Sequence, residues 1–175
     1  MIATVAAYAV PAALDLLPPN MDSPAARAML QAIGMQESRF RHREQVGGPA
    51  RGFWQFERLG IRGVLEHPTT RHHAATVCEA LLYAPDVDEC YRAVRDNDVL
   101  ACCFARLLLW QHPAPLPARG DDGEAWGQYL AGWRPGKPHR TSWARFYAEA
   151  WPESAPWGGS PSLPPPSGAD DPLGR

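Results

Sequence analysis

Residues 99–110 are apolar on nearly every side when they are arranged as a helix. They follow the polar cluster Asp96-Asn97-Asp98, and Pro113 stands soon after their end, where it breaks the chain. A helix that is apolar all round has to be enclosed by other elements. The sequence therefore predicts a fold built around this central helix.

Four further stretches have a helical pattern of apolar residues. Ser23 followed by Pro24 is typical of an N-cap and a first helical position, and Pro85 is expected to stop the second of these helices. At most a small β-ribbon is expected, between Val46 and Leu65, so the predicted class is mainly α. The four further helices are expected at residues 23–40, 70–83, 124–130 and 142–151.

The chain of 175 residues suits one domain with a single core, which we expect to cover residues 1–150. Its apolar N-terminus lacks the positively charged region of a signal peptide and is too short to span a bilayer, so we expect a first helix there. Residues 151–175 are dominated by Pro, Gly and Ser. We expect a disordered tail there, because such a segment cannot bury enough apolar surface to offset its ordering entropy.

Charge and cysteine spacing argue against two classes of function. Lys and Arg number 17 against 19 Asp and Glu, so the chain lacks the basic surface of a nucleic-acid-binding protein. The four cysteines form no CxxC pair and are expected to be reduced core residues. A nearby group of histidines and one cysteine fits no common zinc spacing, so no metal and no cofactor is expected. This group consists of His67, His72, His73 and Cys78.

A carboxylate lies on the apolar face of the helix expected at residues 23–40. Glu37 follows Leu30 by seven residues and Ile33 by four, which places it on the face that they turn to the core. Apolar surroundings raise the pKa of a carboxyl group and let it donate a proton near neutral pH. Glu37 is therefore a candidate general acid, and the alternatives are an ion pair to a nearby arginine or a place at a fraying helix end. The nearby arginines are Arg39, Arg41 and Arg43.

Residues 52–56, Gly-Phe-Trp-Gln-Phe, combine residue types that occur in carbohydrate clefts. Gly52 permits a close backbone approach, and the rings of Phe53 and Trp54 are suited to stacking on sugars. The Gln55 amide both donates and accepts hydrogen bonds. The alternative is an aromatic cluster that fills the core under a loop.

These segments resemble a known family, the lysozyme-like soluble lytic transglycosylases. Residues 37–40, E-S-R-F, match its E-S-x-F motif, and residues 52–55, G-F-W-Q, keep the glycine and glutamine of its G-L-M-Q motif. Residues 128–132, Q-Y-L-A-G, are similar to its later A-Y-N-x-G motif, with Tyr129 kept and Leu130 in place of the asparagine. The substitutions in the second motif are similar to those of small phage-encoded or prophage-encoded members.

The resemblance implies a lysozyme-like domain that cleaves the β-1,4 bond between N-acetylmuramic acid and N-acetylglucosamine in peptidoglycan. Glu37 would protonate the glycosidic oxygen and later act as base, while the substrate closes into a 1,6-anhydro product. The implied partners are peptidoglycan glycan strands and other phage proteins, and we expect a monomer. The protein would be made in the bacterial cytoplasm and act at the cell wall or as a virion component, in wall penetration or lysis. The residues implied to position the substrate or Glu37 are Ser38, Gly52, Phe53, Trp54, Gln55 and Tyr129.

Two alternatives to a lytic transglycosylase stay open at this point. A true lysozyme needs a second carboxylate, about 5 Å away in a retaining enzyme or about 6.5–9.5 Å away in an inverting one. Glu57 is the first candidate for it, followed by Glu44 and Glu66. A catalytically inactive structural or glycan-binding protein of a phage particle is the other alternative, and Leu130 motivates it. Three tryptophans either line a glycan groove or form a packed cluster, and these are Trp126, Trp133 and Trp143.

Overall fold

The structure is a computed structural model and describes residues 5–151. The described chain is mainly α, as predicted, with eight α-helices and no strand. A π-helical turn at Val5–Ala9 leads into the first α-helix, and a 3-10 turn at Pro19–Met21 follows it. The α-helices are α1 (Val10–Asp15), α2 (Pro24–Glu37), α3 (Arg58–Glu66), α4 (Arg71–Ala80), α5 (Val87–Ala93), α6 (Asp98–Trp110), α7 (Asp122–Trp133) and α8 (Arg140–Ala150).

The central helix predicted from the sequence is α6. The Asn97 side chain accepts a hydrogen bond from Leu100 N at 2.9 Å and so caps its first turn. Residues 100–107 and Leu109 are buried. Helices α1, α2, α3, α4 and α7 pack against α6, which confirms that it is enclosed by the rest of the domain.

Helix α2 carries Glu37 as its last residue. The helix starts as predicted, because the Ser23 side chain caps its first turn. It ends at Glu37 rather than at the predicted Phe40, since Arg39 and Phe40 have positive φ angles of 57° and 52°. This turn brings the Phe40 ring back onto Gly34, where an added Cβ would lie 2.2 Å from Phe40 Cζ. A glycine at this position therefore lets the chain reverse directly after the candidate acid.

The structure forms no β-ribbon in the expected stretch between Val46 and Leu65. Two isolated antiparallel bridges join Arg51 to Glu44 and to Phe56. Arg51 and Phe56 exchange backbone hydrogen bonds at 2.8 and 2.9 Å, so the residues between them form a closed turn. The chain then enters α3 at once, which leaves no room for a strand to extend.

Helix α8 packs along both α2 and α7, and this arrangement positions the site described below. The four cysteines are free and buried, which confirms that they belong to the core. The expected tail at residues 151–175 lies, from residue 152 onward, outside the described residues. Within residues 5–151 no helix is long and apolar enough to cross a membrane.

Candidate functional site

The carboxylate that the sequence places on the apolar face of α2 meets a tyrosine from a distant part of the chain. Tyr129, on α7, donates a hydrogen bond from Oη to Glu37 Oε1 at 2.6 Å. The two residues are 92 positions apart in the sequence. They meet because α8 packs against both α2 and α7 and fixes the two helices around one site.

Burial controls the protonation of this pair. It disfavours the ionised form of Glu37 and raises the pKa of its carboxyl from 4.5 to about 7, against the opposing effect of the Tyr129 hydrogen bond. Burial and the adjacent carboxyl also raise the pKa of Tyr129, so the phenol stays protonated and remains a donor. No cationic side chain within residues 5–151 forms an ion pair with Glu37. A carboxyl group that binds its proton up to neutral pH therefore faces a neutral partner.

Two of the three arginines that follow Glu37 in the sequence are engaged elsewhere, and the third, Arg41, is exposed. Arg43 forms a bidentate ion pair with Asp98, at 2.5 and 2.7 Å. The Arg39 guanidinium lies over the Phe146 ring, 4.1 Å from the ring centre. The ion-pair alternative for Glu37 is therefore not the arrangement that the structure adopts.

The Tyr129 ring belongs to a group of four packed aromatic side chains of α7 and α8, which we call the aromatic wall. They are Trp126, Tyr129, Trp143 and Tyr147. The Tyr129 and Trp143 rings stack with centroids 5.0 Å apart and an interplanar angle of 19°, and Tyr147 continues the stack at 6.1 Å and 9°. Trp143 is fully buried, and its Nε1 donates to Asp122 O at 2.9 Å. The stack fixes the position of the hydroxyl that reaches Glu37.

A loop beside the end of α2, residues 43–56, forms what we call the loop wall. Ser38 Oγ, directly after Glu37 in the chain, donates to Phe53 O at 2.7 Å. Trp54 Nε1 donates to Leu30 O at 2.8 Å, which ties the same loop to the middle of α2. The loop wall thus holds the end of α2 through backbone carbonyls.

Three residues of the loop wall have a left-handed backbone, Gly47, Gly52 and Gln55, and the last two belong to the second motif. Gly52 has a φ angle of 71°, and an added Cβ would lie 2.2 Å from Val94 O, so only glycine fits there. Gln55 has a φ angle of 51°, and its Nε2 donates to Gly52 O at 2.8 Å. The glycine and glutamine of the second motif therefore shape the turn beside the end of α2.

The structure corrects the expectation that Phe53 and Trp54 stack on sugars. Their side chains are 2% and 0% exposed, and the Phe40 ring packs edge to face against both, at 5.6 and 5.8 Å. Enclosed rings present no face to a ligand, so these residues fill the core under the loop. Ser38 is also buried, and its hydroxyl steadies the helix end because its hydrogen bonds go to the protein.

The three candidates for a second carboxylate lie at exposed positions. Glu57 precedes α3 and makes no side-chain hydrogen bond to the first turn of that helix. Glu44 is paired with two arginines, and Glu66 is paired with one. In the described chain the hydrogen bond to Glu37 comes from a phenol, and none of these carboxylates shares it.

The three tryptophans selected from the sequence divide between the two interpretations. Trp126 and Trp143 are buried in the aromatic wall, as in a packed cluster. Trp133 is half-buried, and its Nε1 donates to Trp54 O at 2.8 Å while its ring stacks on Tyr129 with centroids 6.2 Å apart. Trp133 therefore joins the aromatic wall to the loop wall.

Sequence reasoning missed the role of Gln36, the residue before the candidate acid. Its Nε2 donates to His139 O at 2.9 Å, and its Oε1 accepts from Ser142 Oγ at 3.1 Å. These contacts fix the start of α8 to the end of α2. The sequence carries only a weak signal for them, since the partners lie 103 and 106 positions away.

A shallow concavity of about 450 Å³ opens beside the end of α2. The Arg39 and Arg145 guanidinium groups lie over the Phe146 ring inside it, at 4.1 and 5.2 Å from the ring centre. The concavity therefore carries three arginines and one glutamate over an apolar floor, and Glu37 is not one of its lining residues. The concavity is lined by Met35, Arg39, Arg41, Arg145, Phe146 and Glu149.

Within residues 5–151 no group of three or more His, Cys, Asp or Glu side chains is arranged to hold a metal ion. No protein-family model, curated protein or solved structure matches the chain. The interpretation of the site therefore depends on its geometry and on the motif resemblance.

Proposed function

We propose that the chain cleaves peptidoglycan at the β-1,4 bond between N-acetylmuramic acid and N-acetylglucosamine, with Glu37 as the general acid. The observation that carries this proposal is a partly buried carboxyl whose pKa is raised to about 7 and whose partner is a neutral phenol. Such a group holds a transferable proton at the pH where a sugar oxygen needs one. The motif resemblance at residues 37–40 and 52–55 supplies the substrate class.

The reaction we propose is that of a lytic transglycosylase. Glu37 gives its proton to the glycosidic oxygen as the bond to the muramic acid C1 breaks, and the ionised carboxyl then takes a proton from the C6 hydroxyl of the same sugar. The C6 oxygen bonds to C1, which yields a 1,6-anhydro end without consuming water. Glu37 returns to its protonated form at the end of the cycle.

The surroundings of Glu37 support this route over hydrolysis. A hydrolase of the usual kind needs a second carboxylate close to the first. The candidates Glu44, Glu57 and Glu66 lie at exposed positions, and two of them are paired with arginines. A transglycosylase needs one carboxyl that changes its protonation state, as Glu37 is placed to do.

Tyr129 has a positioning role in this proposal. Its hydroxyl donates to Glu37 Oε1, which leaves the carboxyl proton on Oε2 for transfer. The same hydrogen bond stabilises the carboxylate formed after proton transfer. Leu130, which replaces the asparagine of the family motif, does not take part in the contact between Tyr129 and Glu37.

The setting we propose, on the motif resemblance alone, is a phage-derived protein that opens the cell wall in penetration or lysis. The glycan strands of peptidoglycan are its proposed partner. The basic concavity beside α2 is compatible with a polymer that carries carboxylates on its peptide stems.

Mass spectrometry of the muropeptides released from isolated sacculi tests the proposal. We expect the wild-type protein to release anhydro-muropeptides and Glu37→Gln to lose about 100-fold or more of this activity, because the amide cannot donate the proton. Glu57→Gln is the matched control, since it makes the same change at an exposed carboxylate. It should release anhydro-muropeptides at the wild-type rate.

Other outcomes would contradict parts of the proposal. Muropeptides with reducing ends would show a hydrolase, and loss of activity in Glu57→Gln would then identify its second carboxylate. No release by the wild type, together with retained binding to sacculi, would favour the glycan-binding alternative. An active Glu37→Gln variant would rule out Glu37 as the acid.

A further inference from the structure

Two buried thiols that the proposed function does not use are in contact with each other. Cys78 on α4 and Cys90 on α5 have their Sγ atoms 3.5 Å apart. Both side chains are fully buried. The two residues lie on separate helices, so each thiol approaches the other from its own backbone segment.

The other two cysteines provide an internal comparison. Cys102 and Cys103 are consecutive residues of α6, and Cys103 Sγ donates to Ala13 O at 3.3 Å. Consecutive Cα atoms lie about 3.8 Å apart, which is shorter than the ~4.4–6.8 Å span of ordinary disulfides. Cys102 and Cys103 are therefore poorly placed for a disulfide although they are adjacent in the sequence. Cys78 and Cys90 are not adjacent in the sequence, but their sulfur atoms are in contact.

The contact between the first two thiols is polar as well as steric. Either sulfur can donate the hydrogen bond between them, and when Cys90 donates, the bond lowers the pKa of the Cys78 thiol. The Cys90 Sγ also lies 3.5 Å from Ala84 O. The Cys78 sulfur is therefore the better nucleophile of the two once the pair is reached by an oxidant.

The segment that joins the two helices provides a route to these thiols. Leu82 within it is 91% exposed and has a φ angle of 62°, a strained value for a residue other than glycine. Because the carbonyl of Ala84 in the same segment contacts Cys90, local opening of the segment would uncover the thiol pair.

We propose that Cys78 and Cys90 form an intramolecular disulfide when the folded chain meets a small-molecule disulfide oxidant. The Cys78 thiolate attacks the oxidant, releases one thiol and leaves a mixed disulfide on Cys78. The Cys90 thiolate then attacks the Cys78 sulfur and releases the second thiol. The protein loses two electrons and two protons, and the oxidant is reduced to two thiols.

The disulfide would close a short loop across the exposed segment between α4 and α5. Closing such a loop restricts the unfolded chain and is expected to raise the midpoint of thermal unfolding by about 5–10 °C. This inference does not depend on the proposed function, because neither thiol contacts Glu37 or Tyr129.

Peptide mapping after oxidation of the full chain tests the inference. The folded protein is treated with glutathione disulfide, free thiols are blocked with iodoacetamide, and trypsin releases residues 72–92, which contain Cys78 and Cys90 alone. We expect this peptide to be about 2 Da lighter than its reduced form and to carry no alkyl group. Residues 96–106, which contain Cys102 and Cys103, should be fully alkylated once the protein is unfolded and serve as the control.

A stability measurement accompanies the mapping. Oxidation should raise the unfolding midpoint of the wild type and of Cys102→Ser, and it should leave the midpoint of Cys90→Ser unchanged. Two alkylated cysteines or separate glutathione adducts on residues 72–92 would overturn the proposal. A disulfide that instead joins Cys102 to Cys103 would overturn it as well.

Discussion

The aromatic wall and the loop wall hold the end of α2 in different ways. The aromatic wall reaches the carboxyl group itself, through the Tyr129 hydroxyl at 2.6 Å. The loop wall contacts the next residue of the chain, because its Phe53 carbonyl accepts a hydrogen bond from Ser38 Oγ at 2.7 Å. One wall therefore acts on the protonation of the carboxyl group, and the other determines where the end of α2 lies.

This difference separates electrostatic control from positional control. A donor to a carboxylate favours its ionised form, so Tyr129 lowers the pKa that burial of Glu37 raises. The hydrogen bonds of Ser38 and Trp54 go to backbone groups and leave the carboxyl untouched. Changes in the aromatic wall that remove or displace the Tyr129 hydroxyl should therefore move the pH dependence of the proposed activity, and changes in the loop wall should reduce stability alone.

A matched pair of tryptophan substitutions gives the largest expected effect. Trp143 and Trp54 are both fully buried, and each donates its Nε1–H to a backbone carbonyl. Replacing either with alanine should lower the free energy of unfolding by about 3–5 kcal/mol, measured by urea denaturation. Only Trp143→Ala should also shift the pH dependence of the proposed wall cleavage, because Trp143 stacks on Tyr129. Equal shifts in the two variants would break the distinction between the walls.

The pH dependence of stability gives the next largest effect. Between pH 4.5 and about 7 the folded state keeps a proton on Glu37 that the unfolded state has lost, so the wild-type free energy of unfolding falls as pH rises through this range. The full penalty above neutral pH is on the order of 3 kcal/mol. Glu37→Gln should not show this loss, so its stability relative to the wild type should increase as the pH rises from 5 to 8. Denaturant titrations at pH 5 and at pH 8 measure this gain in stability, and Glu57→Gln should show none.

Ser38→Ala tests the loop wall with a smaller change. It removes the hydroxyl that donates to Phe53 O and accepts from Phe40 N, and it leaves both groups buried without those partners. The free energy of unfolding should fall by about 2 kcal/mol, with no shift in the pH dependence of activity. Ser142→Ala, which removes a partly exposed hydroxyl, should cost less than about 0.5 kcal/mol. A pH shift in Ser38→Ala would mean that the loop wall also acts on the carboxyl group.

Tyr129→Phe gives the smallest expected loss of stability and the most specific effect on pH dependence. It keeps the ring in the stack and removes one hydrogen bond, which should cost about 1 kcal/mol of unfolding free energy. Because that bond lowers the pKa of Glu37, its loss should move the alkaline limit of activity to higher pH. Tyr147→Phe is the matched control, since its hydroxyl donates to Pro117 O at 2.8 Å, away from Glu37. A similar pH shift in this control would contradict the role given to Tyr129.

The parts of the fold that were predicted from the sequence are those with a strong local signal. Helix α6 has apolar residues on every side, and α2 begins with a serine cap followed by proline. The sequence pattern does not reveal α3, because two glycines interrupt it and only Ile61 and Val64 are buried. It also does not reveal α5, whose seven residues are too few to show a period.

The candidate site likewise has a part that the local sequence pattern predicts and a part that depends on how distant helices pack. Helical spacing from Leu30 and Ile33 predicts that Glu37 turns inward, which is local information. The contact with Tyr129 was suggested by the motif resemblance and not by spacing, since it depends on how α7 and α8 pack. The stacking of Trp143 on Tyr129 has no local signal, because aromatic side chains suit a ligand groove and a packed core equally well.

A titration of the Glu37 carboxyl tests most directly whether this residue is protonated at neutral pH. The carboxyl carbon is followed by ¹³C NMR in the wild type, and the resonance that is missing in Glu37→Gln identifies it. We predict a titration midpoint near pH 7, well above the ordinary value of 4.5. A midpoint close to 4.5 would mean that Glu37 is ionised at neutral pH and cannot serve as the general acid.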